Sequence, residues 1–496
     1  MNIDKNIEYL NTRFCEFGDF IKRKFPIGEK KDTNLYMCYI DVMTDKNFID
    51  NLIDSIMIGI RQVEPKSAEI NKKNIFDALK NGGITTIDFV EETDFEKVID
   101  EILTGNTLLL IDGFEKAIIL STKSFPRRSV STADTEVVVQ GSKEAFTETF
   151  RVNTVLIRRR IRDTNLKLKQ MRIGKRSKTD IGIMYMEDIA REDILQEVEN
   201  RLKNIDIDGI LDSGYIEQFI EDDYKSPFPQ MQMTERPDKV ASALLEGRIA
   251  IVVDNTPFVI IVPTVLASFY QSSEDYYQRW EIMSFIRIIR YIAGIIAVCL
   301  PALYVAIAVY HPSMIPMELI LKMTQARKDV PIPAVLEVVL MELAFETLRE
   351  AGIRLPAAIG STLGIVGGII IGQAAVEAGL VSPIVVIVIA LTAICSFAIP
   401  NIALVSGYRI TKYFILLLSS LLGFFGFWLG ILACLIHLVN LKSFGIPYLY
   451  PFVSAKEDTS NDIKDTIIKL PIFMLRKRPI FAKDSQKIRL KYKRNK

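Results

Sequence analysis

The sequence has few of the residues on which catalytic and metal sites most often depend. Its 496 residues include two histidines and two tryptophans, and its five cysteines show no spacing typical of a metal or redox pair. His311 precedes a proline and His437 lies in an apolar run, so a zinc site or a histidine-dependent triad has little support. We predict reduced, buried cysteines, no metal and no cofactor.

Nucleotide-binding and acyl-transfer motifs are also missing. The sequence contains no Gly-x-x-x-x-Gly-Lys-Ser/Thr loop and no Gly-x-Ser-x-Gly elbow. Acidic pairs such as Glu221 and Asp222 occur, but acids are too common here for one pair to stand out. The formal net charge of +1 gives no sign of nucleic-acid binding. We predict that the protein is not an enzyme and has no nucleic-acid partner.

The charges that are present divide the chain into two halves. Lys, Arg, Asp and Glu are frequent up to about residue 290, whereas residues 291–441 are mostly apolar. The first residues lack the apolar core of a signal peptide, so we expect the charged half to stay in the cytoplasm. We predict two α/β subdomains (1–135 and 136–285), a transmembrane helical domain (286–445) and a basic cytoplasmic tail (446–496).

Four uncharged runs have about the length that a membrane-spanning helix needs: 291–310, 355–376, 378–408 and 413–441. A further apolar stretch, 330–350, carries Glu337, Glu342 and Glu346. It is an amphipathic helix at the membrane surface, a fifth span, or a helix facing a pore. Carboxylates within a membrane are costly and usually face water or a partner, so these three are our ion-path candidates.

Basic residues near the spans leave the topology open. Arg279, Arg287 and Arg290 place the start of the first span inside the cell. Residues 476–496 contain ten basic residues and one acid, so this tail also prefers the inside, either solvated or bound to anionic lipid. With four spans, the start of the first span and the basic tail are both inside, but Arg409 and Lys412 are outside. With five spans, Arg409 and Lys412 are inside, but the tail is outside.

Glycine recurs every fourth residue within the second run, at four positions on one helix face. Such a face lets another backbone approach closely, either from the same chain or from another subunit. The candidate helix-packing or oligomer-interface positions are Gly360, Gly364, Gly368 and Gly372.

One arrangement of strands and helices occurs twice in the charged half. Residues 35–56 match 181–202, with Tyr39 on Tyr185, and 95–120 match 237–262, with Gly105 on Gly247. The pattern in each copy predicts strand, helix, helix, Gly stop and a hairpin of two strands. We interpret this as a duplicated α/β domain, with a coincidence of common α/β patterns as the alternative.

Two charged features in this half are candidates for coupling or an interface. A helix predicted over 143–162 ends in basic residues that either are solvated or contact phosphates or another subunit's carboxylates. The second feature is a corner that the first copy lacks; it suits structure or an interface better than catalysis. The candidate residues are Arg158, Arg159 and Arg160 in the helix, and Thr234, Glu235, Arg236 and Asp238 at the corner.

Several longer motifs together carry a family resemblance over about residues 136–451, and more loosely over the first copy. They include FTETFRVNTVLIRRRI, FPQMQMTERPDKVASALLEGRIAIVVDNTP, EDYYQRW, PALYVAIAVYHPSMIP, LREAGIRLPAAIG, GQAAVEAGLVSP and SFGIPYLYPF. The sequence resembles the A-subunit family of GerA-type spore germination receptors. Gly141-Ser142 and Ala145 stand where the family often has Gly-Pro and Gly, so the backbone there is expected to differ.

The resemblance implies a membrane subunit of a nutrient receptor in the inner membrane of bacterial spores. Its implied partners are a transporter-like B subunit, a lipoprotein C subunit, further copies of itself and membrane lipid. The implied function is to couple nutrient sensing to ion release, and A subunits of this family are thought to form the ion path. The alternatives are a solute transporter acting alone, which the small number of spans disfavours, and a membrane-tethered enzyme.

Overall fold

The computed structural model describes residues 3–27, 33–45, 47, 49–51, 53–54, 88–124, 133, 136, 138–354, 372–453 and 465–489. The chain divides into two compact units. The first comprises Met1–Glu221, Met231–Pro263 and Arg476–Lys496, and the second comprises Asp222–Gln230 and Thr264–Leu475. The segment that follows residue 446 is therefore divided between the two units.

The first unit contains two five-stranded sheets, in which every strand pairing is antiparallel. The strands of the first sheet are β1 (Phe20–Ile27), β2 (Thr33–Ile40), β3 (Phe89–Glu92), β4 (Thr107–Ile111) and β5 (Ala117–Leu120). Their order is β1-β2-β4-β5-β3. Helices α1 (Ile3–Arg13) and α2 (Phe95–Thr104) bury apolar side chains in the same core as one face of this sheet.

The second sheet repeats this architecture. Its strands are β6 (Leu166–Ile173), β7 (Thr179–Met186), β8 (Gln232–Thr234), β9 (Ile249–Val253) and β10 (Val259–Val262), in the order β6-β7-β9-β10-β8. The accompanying helices are α3 (Phe150–Arg158), α4 (Glu192–Lys203), α5 (Ser213–Ile220) and α6 (Pro237–Leu245). When the strands of each sheet are counted from its own first strand, both sheets have the order 1-2-4-5-3. The predicted duplication is therefore confirmed in topology.

Glycine stops end the corresponding helices α2 and α6 in the two copies. Gly105 has a φ of +103° and Gly247 has a φ of +93°, the left-handed region in which glycine avoids a Cβ clash. A Cβ on Gly247 would also lie 2.8 Å from the Cα of Ala482. Both glycines therefore end their helix in the left-handed conformation. Gly247 also leaves room for the C-terminal segment at Ala482.

Helix α3 is shorter than the predicted helix over 143–162. Before it, the Asn153 side chain bonds the backbone N–H and carbonyl of Thr147, at 2.8 and 2.6 Å, which holds that segment out of helical geometry. The Asp254 carboxylate then accepts the Phe150 N–H at 2.9 Å and satisfies one N-terminal donor of the helix. Polar contacts with Asn153 and Asp254 thus determine where helix α3 begins, and local hydrophobic periodicity does not predict that position.

The C-terminal segment packs against the second copy. Ala482 forms an antiparallel bridge with Ala190, and Phe481 is only 1% exposed. The Arg248 guanidinium lies 4.3 Å from the centroid of the Phe481 ring. Part of the predicted basic tail therefore contributes to the core of the first unit.

The second unit is mainly helical. Its helices are α7 (Leu266–Tyr270), α8 (Trp280–Val305), α9 (Met317–Ala326), α10 (Ala334–Arg354), α11 (Pro383–Phe397) and α12 (Ile402–Asn440), followed by the short strands β11 (Lys442–Ser443) and β12 (Ile446–Pro447). Helix α8 packs against both α11 and α12. Ala302, Val338, Val385 and Ile415 bring α8, α10, α11 and α12 into one apolar core.

Two helices in the described part of the chain are long and apolar enough to cross a membrane: Trp280–Tyr310, of 31 residues, and Ile402–Asn440, of 39. The first is α8 extended by a π-helical turn, and it contains the predicted run 291–310. The second is α12, which contains almost all of the predicted run 413–441. Its backbone is not helical at Gly423 (φ +59°, ψ −137°), so α12 consists of two helical parts joined at a kink. Most of the predicted run 355–376 lies outside the described residues, so the total of four or five spans stays a prediction.

The predicted continuous run 378–408 is wrong as one helix. Helix α11 ends at Phe397, and α12 begins at Ile402. Pro400 cannot donate a helical hydrogen bond, and the Asn401 side chain accepts the Leu404 N–H at 3.0 Å as the cap of α12. Pro383 and Pro400 interrupt this apolar run in the sequence, and the structure places Pro383 at the start of α11 and Pro400 between the two helices.

Glu217 on α5 makes the stability of the first unit depend on pH. Burial, with the charges of Glu221 and Asp212, raises its pKa to about 7. The folded state therefore binds the proton more tightly than the unfolded chain, whose pKa is about 4.3. The stabilisation is complete below that pH and is lost as the pH rises to about 7.

Replacing Glu217 by Gln should remove this dependence. We expect Glu217→Gln to stabilise the first unit by about 1–2 kcal/mol above pH 7, allowing for partial exposure, and to have little effect near pH 5. Thermal unfolding of the purified chain across this range measures the difference. Gln218→Ala, an exposed neighbour, is the control, and a wild-type curve that is flat between pH 5 and 7 would contradict the assignment.

Candidate functional site

Helix α10 carries all three candidate ion-path carboxylates, and the structure gives each of them a basic partner. Glu337 is completely buried and Glu342 is 1% exposed. Removing a carboxylate from water is costly unless charge and hydrogen bonds compensate it. The partners below therefore decide what these side chains can do.

Glu337 joins three elements of the second unit. One carboxylate oxygen accepts from Arg327 Nε at 3.2 Å and lies 3.0 Å from Nη2 of the same guanidinium, and the other accepts the Ser382 N–H at 2.9 Å. Ser382 is the residue at the N-terminal cap of α11, where the N–H groups lack helical partners. Glu337 thus connects α10 to the start of α11 and to the end of α9.

Glu342 and Glu346 form a second group, facing α12. Lys412, which is 5% exposed, donates a short hydrogen bond to Glu342 Oε2. Arg409 Nη2 lies 2.6 Å from Glu346, and Lys412 Nζ lies 3.8 Å from Glu346. Arg349 Nη1 approaches Glu346 at 3.6 Å. We call these five side chains the α10–α12 charge cluster.

A small cavity of about 10 Å³ borders this cluster. Its lining residues include Glu342, Arg349, Arg409 and Lys412 of the cluster, and uncharged residues of α8 and α11. Ser396 on α11 accepts from Arg349 Nη2 at 2.9 Å. The cavity therefore lies between the charge cluster and the apolar side chains of α8 and α11, and most of its surface is apolar.

The candidate glycine face lies largely outside the described residues. Gly360, Gly364 and Gly368 are in the part of the chain that the structure does not describe, whereas Gly372 is described. A Cβ on Gly372 would lie 3.3 Å from Val386 Cγ1, so this position faces α11 of the same chain. The role of the other three in packing or in an oligomer interface stays a prediction.

Two of the three arginines expected at the start of the first span, Arg287 and Arg290, belong to a buried network. Asp275, which is completely buried, accepts from Arg287 Nε at 3.1 Å and from Arg290 Nη1 at 2.8 Å. Arg287 also donates to the backbone carbonyl of Asp465. The pattern of basic residues marked this helix end, but it did not reveal the aspartates that neutralise them.

The corner candidates meet at one point in the first unit. Thr234 ends β8, and Arg236, which is 1% exposed, precedes α6. Arg236 Nη2 donates to Asp238 at 2.8 Å and to the Ser142 carbonyl at 2.9 Å. Glu235 accepts the Glu136 N–H at 3.0 Å. These residues fasten the segment that leads from the first copy to the second.

Glu136 is the member of this corner that sequence reasoning missed. Its carboxylate accepts from Thr234 Oγ1 and from Lys239 Nζ. It lies 98 residues from Thr234 in sequence, and no local motif marks it. Only a fold that brings the segment between the copies back to α6 makes this acid part of the corner.

The three arginines at the end of α3 have different surroundings. Arg158 is 2% exposed and donates from Nη2 to Asp19 at 2.8 Å and from Nη1 to the Leu166 carbonyl at 3.1 Å. Arg159 and Arg160 instead contact Glu144 at 3.1 and 2.8 Å, and they are partly exposed. Arg158 therefore joins the two copies, whereas its neighbours lie in a solvated ion-pair group.

We expect the Arg158–Asp19 pair to be essential for the stability of the first unit. Asp19→Ala leaves a buried guanidinium without its carboxylate and should cost about 3–5 kcal/mol of unfolding free energy. Arg159→Gln, on the same helix, removes a half-exposed ion pair and should cost less than about 1 kcal/mol. Thermal and denaturant unfolding of both variants measures the contrast. Equal effects would show that Arg158 is no more important than its exposed neighbour.

Comparison with known proteins gives matches over nearly the whole chain. Residues 8–481 match the family described as Bacillus/Clostridium GerA spore germination protein. Spore germination protein KA of Bacillus subtilis (strain 168) is 41% identical over 489 residues, which is 98% of this chain and 88% of that protein. Spore germination protein GerLA of Bacillus cereus is 39% identical over 91% of this chain and 90% of its own length.

A solved structure is also similar to part of the chain. The crystal structure of the N-terminal domain of the A subunit of the Bacillus megaterium spore germinant receptor GerK3 covers 53% of this chain and 96% of the solved chain. The sequence identity is 33% and the TM-score is 0.43. The match to the family over nearly the whole length, together with the relatives at about 40% identity, assigns the chain: it belongs to the Bacillus/Clostridium GerA spore germination protein family.

Proposed function

We propose that this chain is a membrane subunit of a nutrient-responsive spore germination receptor and that it couples nutrient sensing to ion release. It acts in this proposal without enzymatic activity of its own. The observation that carries the proposal is the α10–α12 charge cluster, buried in a helical unit that also contains two helices of membrane-spanning length. Ionisable groups at such depth are usually retained for function, because they are costly.

The proposed location is the inner membrane of the spore, with the first unit on the cytoplasmic side. Membership of the spore germination family supports the setting. The long helices α8 and α12 support insertion into the membrane, because many of their large apolar side chains are exposed, including Phe285, Ile295, Leu421 and Phe425. Lipid or neighbouring helices would cover these side chains.

In this proposal the chain acts as part of an assembly. Its partners are further copies of itself, a transporter-like B subunit and a lipoprotein C subunit, and the helices of the A subunits line the ion path. The glycine face that includes Gly372 supplies close helix packing. The partly exposed arginines Arg159 and Arg160 are candidate coupling surfaces for the first unit, whereas the corner at Arg236 is buried and would contribute only through the segment that it fastens.

In this proposal Glu342 and Glu346 affect the ion path by balancing the positive charges of the basic side chains around them. In the described arrangement Lys412, Arg409 and Arg349 balance the charge of both carboxylates, so a passing cation would have to compete with these basic side chains. A nutrient can favour an open state only if the assembly binds it better in that state. Opening would then require α10 and α12 to exchange these partners.

Replacing Glu342 by Gln in spores tests this role. The substitution keeps the shape but leaves Lys412 without its main carboxylate, so the cluster becomes more positive by one charge. We expect nutrient-triggered release of monovalent cations to slow by about tenfold or more, because a repelling charge adds at least about 1.4 kcal/mol to the barrier. Ion-selective electrodes on spore suspensions measure the rate.

Protein amount and a matched variant complete this experiment. Glu350→Gln changes an exposed carboxylate on the same helix and should leave the rate near wild type. Immunoblots must show equal accumulation of all three proteins. Release at the wild-type rate in Glu342→Gln spores would remove this residue from the ion path.

A further inference from the structure

The far end of helix α8 lies at the same level as the kink of α12. Tyr310 follows Arg290 by 20 helical residues, a length of about 30 Å that matches the hydrocarbon core of a bilayer. The Tyr310 hydroxyl donates a hydrogen bond to the Ser420 carbonyl. A Cβ on Gly423, at the kink, would lie 2.7 Å from Cγ of the Tyr310 ring. These contacts place one boundary of the helical unit at Tyr310 and Gly423.

Aromatic side chains surround this boundary. Tyr310 is 43% exposed and Trp428 is 56% exposed. The centroid of the Phe424 ring lies 5.9 Å from that of His311 and 6.1 Å from that of Trp428. Tyrosine and tryptophan are enriched where membrane hydrocarbon meets water, because their rings are apolar and carry one polar group. The boundary therefore has the composition of a membrane–water interface.

Helix α9 begins shortly after this boundary and carries exposed apolar side chains. None of its ten residues, all of which the structure describes, is buried. Met317 and Leu321, about one helical turn apart, are 70% and 63% exposed, and Leu319 is 48% exposed. Apolar side chains this close together call for cover by another apolar surface.

The remaining side chains of α9 show how the helix is oriented. Met323 packs against the apolar core of the helical unit, and Ile320 is partly buried on the same side. The exposed polar residues, which share another side, are Glu318, Lys322 and Gln325. With about 3.6 residues per turn, the three exposed apolar residues fall on the two flanks between these sides. The helix thus directs polar groups away from the bundle and apolar groups sideways.

The order of these sides decides what covers the helix. A protein partner on either flank would take Glu318 or Lys322 out of water beside the apolar residues, and burial of a charge without a partner is costly. At a membrane surface, hydrocarbon and water lie close together, so both kinds of side chain are accommodated. The exposed Lys322 and Lys328 also suit the phosphates of lipid headgroups.

We propose that α9 lies flat in the membrane–water interface, at the end of the helical unit remote from Arg290, and that phospholipid covers its two apolar flanks. Met317, Leu319 and Leu321 contact the upper part of the acyl chains, whereas the polar side of the helix faces water. This inference rests on the proposed function, in which α8 and α12 are inserted into a membrane.

Photolabelling of the purified full-length chain tests this contact without any substitution. The chain is placed in nanodiscs of phosphatidylethanolamine and phosphatidylglycerol with a diazirine that partitions into the acyl chains, and labelled peptides are identified by mass spectrometry. We expect label on Met317, Leu319 or Leu321 and on the exposed apolar surfaces of α8 and α12. Tyr215 and Phe219, exposed residues of α5 in the first unit, are the controls and should stay unlabelled.

The possible outcomes distinguish the position of α9 from membrane insertion in general. Label on α8 and α12 but not on α9 would overturn the interfacial position of α9 and would show that protein or water covers its flanks. An absence of label on α8 and α12 would contradict membrane insertion itself, and the position of α9 with it. Equal label on α9 and on the control residues would also overturn the proposal, because the label would not then mark contact with lipid.

Two tryptophan variants measure the depth and orientation of α9. Leu321→Trp and Gln325→Trp each add an indole at an exposed position, so both variants should fold. After subtraction of the wild-type emission, lipid brominated close to the headgroup should quench Leu321→Trp at least about twofold more than Gln325→Trp, because an interfacial flank enters the acyl boundary by about 5–10 Å. Lipid brominated close to the chain end should quench both weakly. Equal quenching of the two variants, or stronger quenching by the deeper bromines, would overturn the flat orientation.

Discussion

Pairing of buried charge is the constraint on which both units of this protein depend. In the first unit, Arg158 and Asp19 connect the two copies of the duplicated domain, and both are almost inaccessible to water. In the second unit, Lys412 and Glu342 connect α10 to α12 in the same way. A pair of this kind contributes little net stability compared with apolar packing, but the loss of one partner is severe. Each pair therefore contributes more to the choice of one arrangement of helices or strands than to the net free energy of unfolding.

The same constraint changes how the carboxylates of α10 are interpreted. From sequence they look like isolated acids in an apolar helix, which suggests an open, negatively lined path. In the structure each has a basic partner, and the cluster around Glu342 carries a net positive charge. A path through this region would be closed to cations until those partners separate. In the receptor proposed above, a nutrient-dependent change in the assembly would have to supply the cost of separating these buried ions.

Much of the first unit was predictable from the sequence, because the patterns that mark its strands and helix ends are local and occur in both copies. The glycine stops at Gly105 and Gly247 and the strand residues Tyr39 and Tyr185 mark equivalent places in two sheets with the same order. The partners of the candidate residues were not predictable. Glu136 meets Thr234, and Asp19 meets Arg158, across about a hundred residues or more, and no periodicity records such contacts. Pro400 marks the break between α11 and α12 in the sequence, whereas hydropathy alone does not register the cap at Asn401.

A double-mutant cycle on Glu342 and Lys412 tests the central claim most directly. The free energy of unfolding is measured for Glu342→Gln, Lys412→Met and the double variant in the purified chain. The account predicts that each single variant is destabilised by about 3 kcal/mol or more and that the double variant is more stable than either, because no unpaired charge remains buried. Effects that simply add would contradict it, since they would show that the two side chains do not depend on each other.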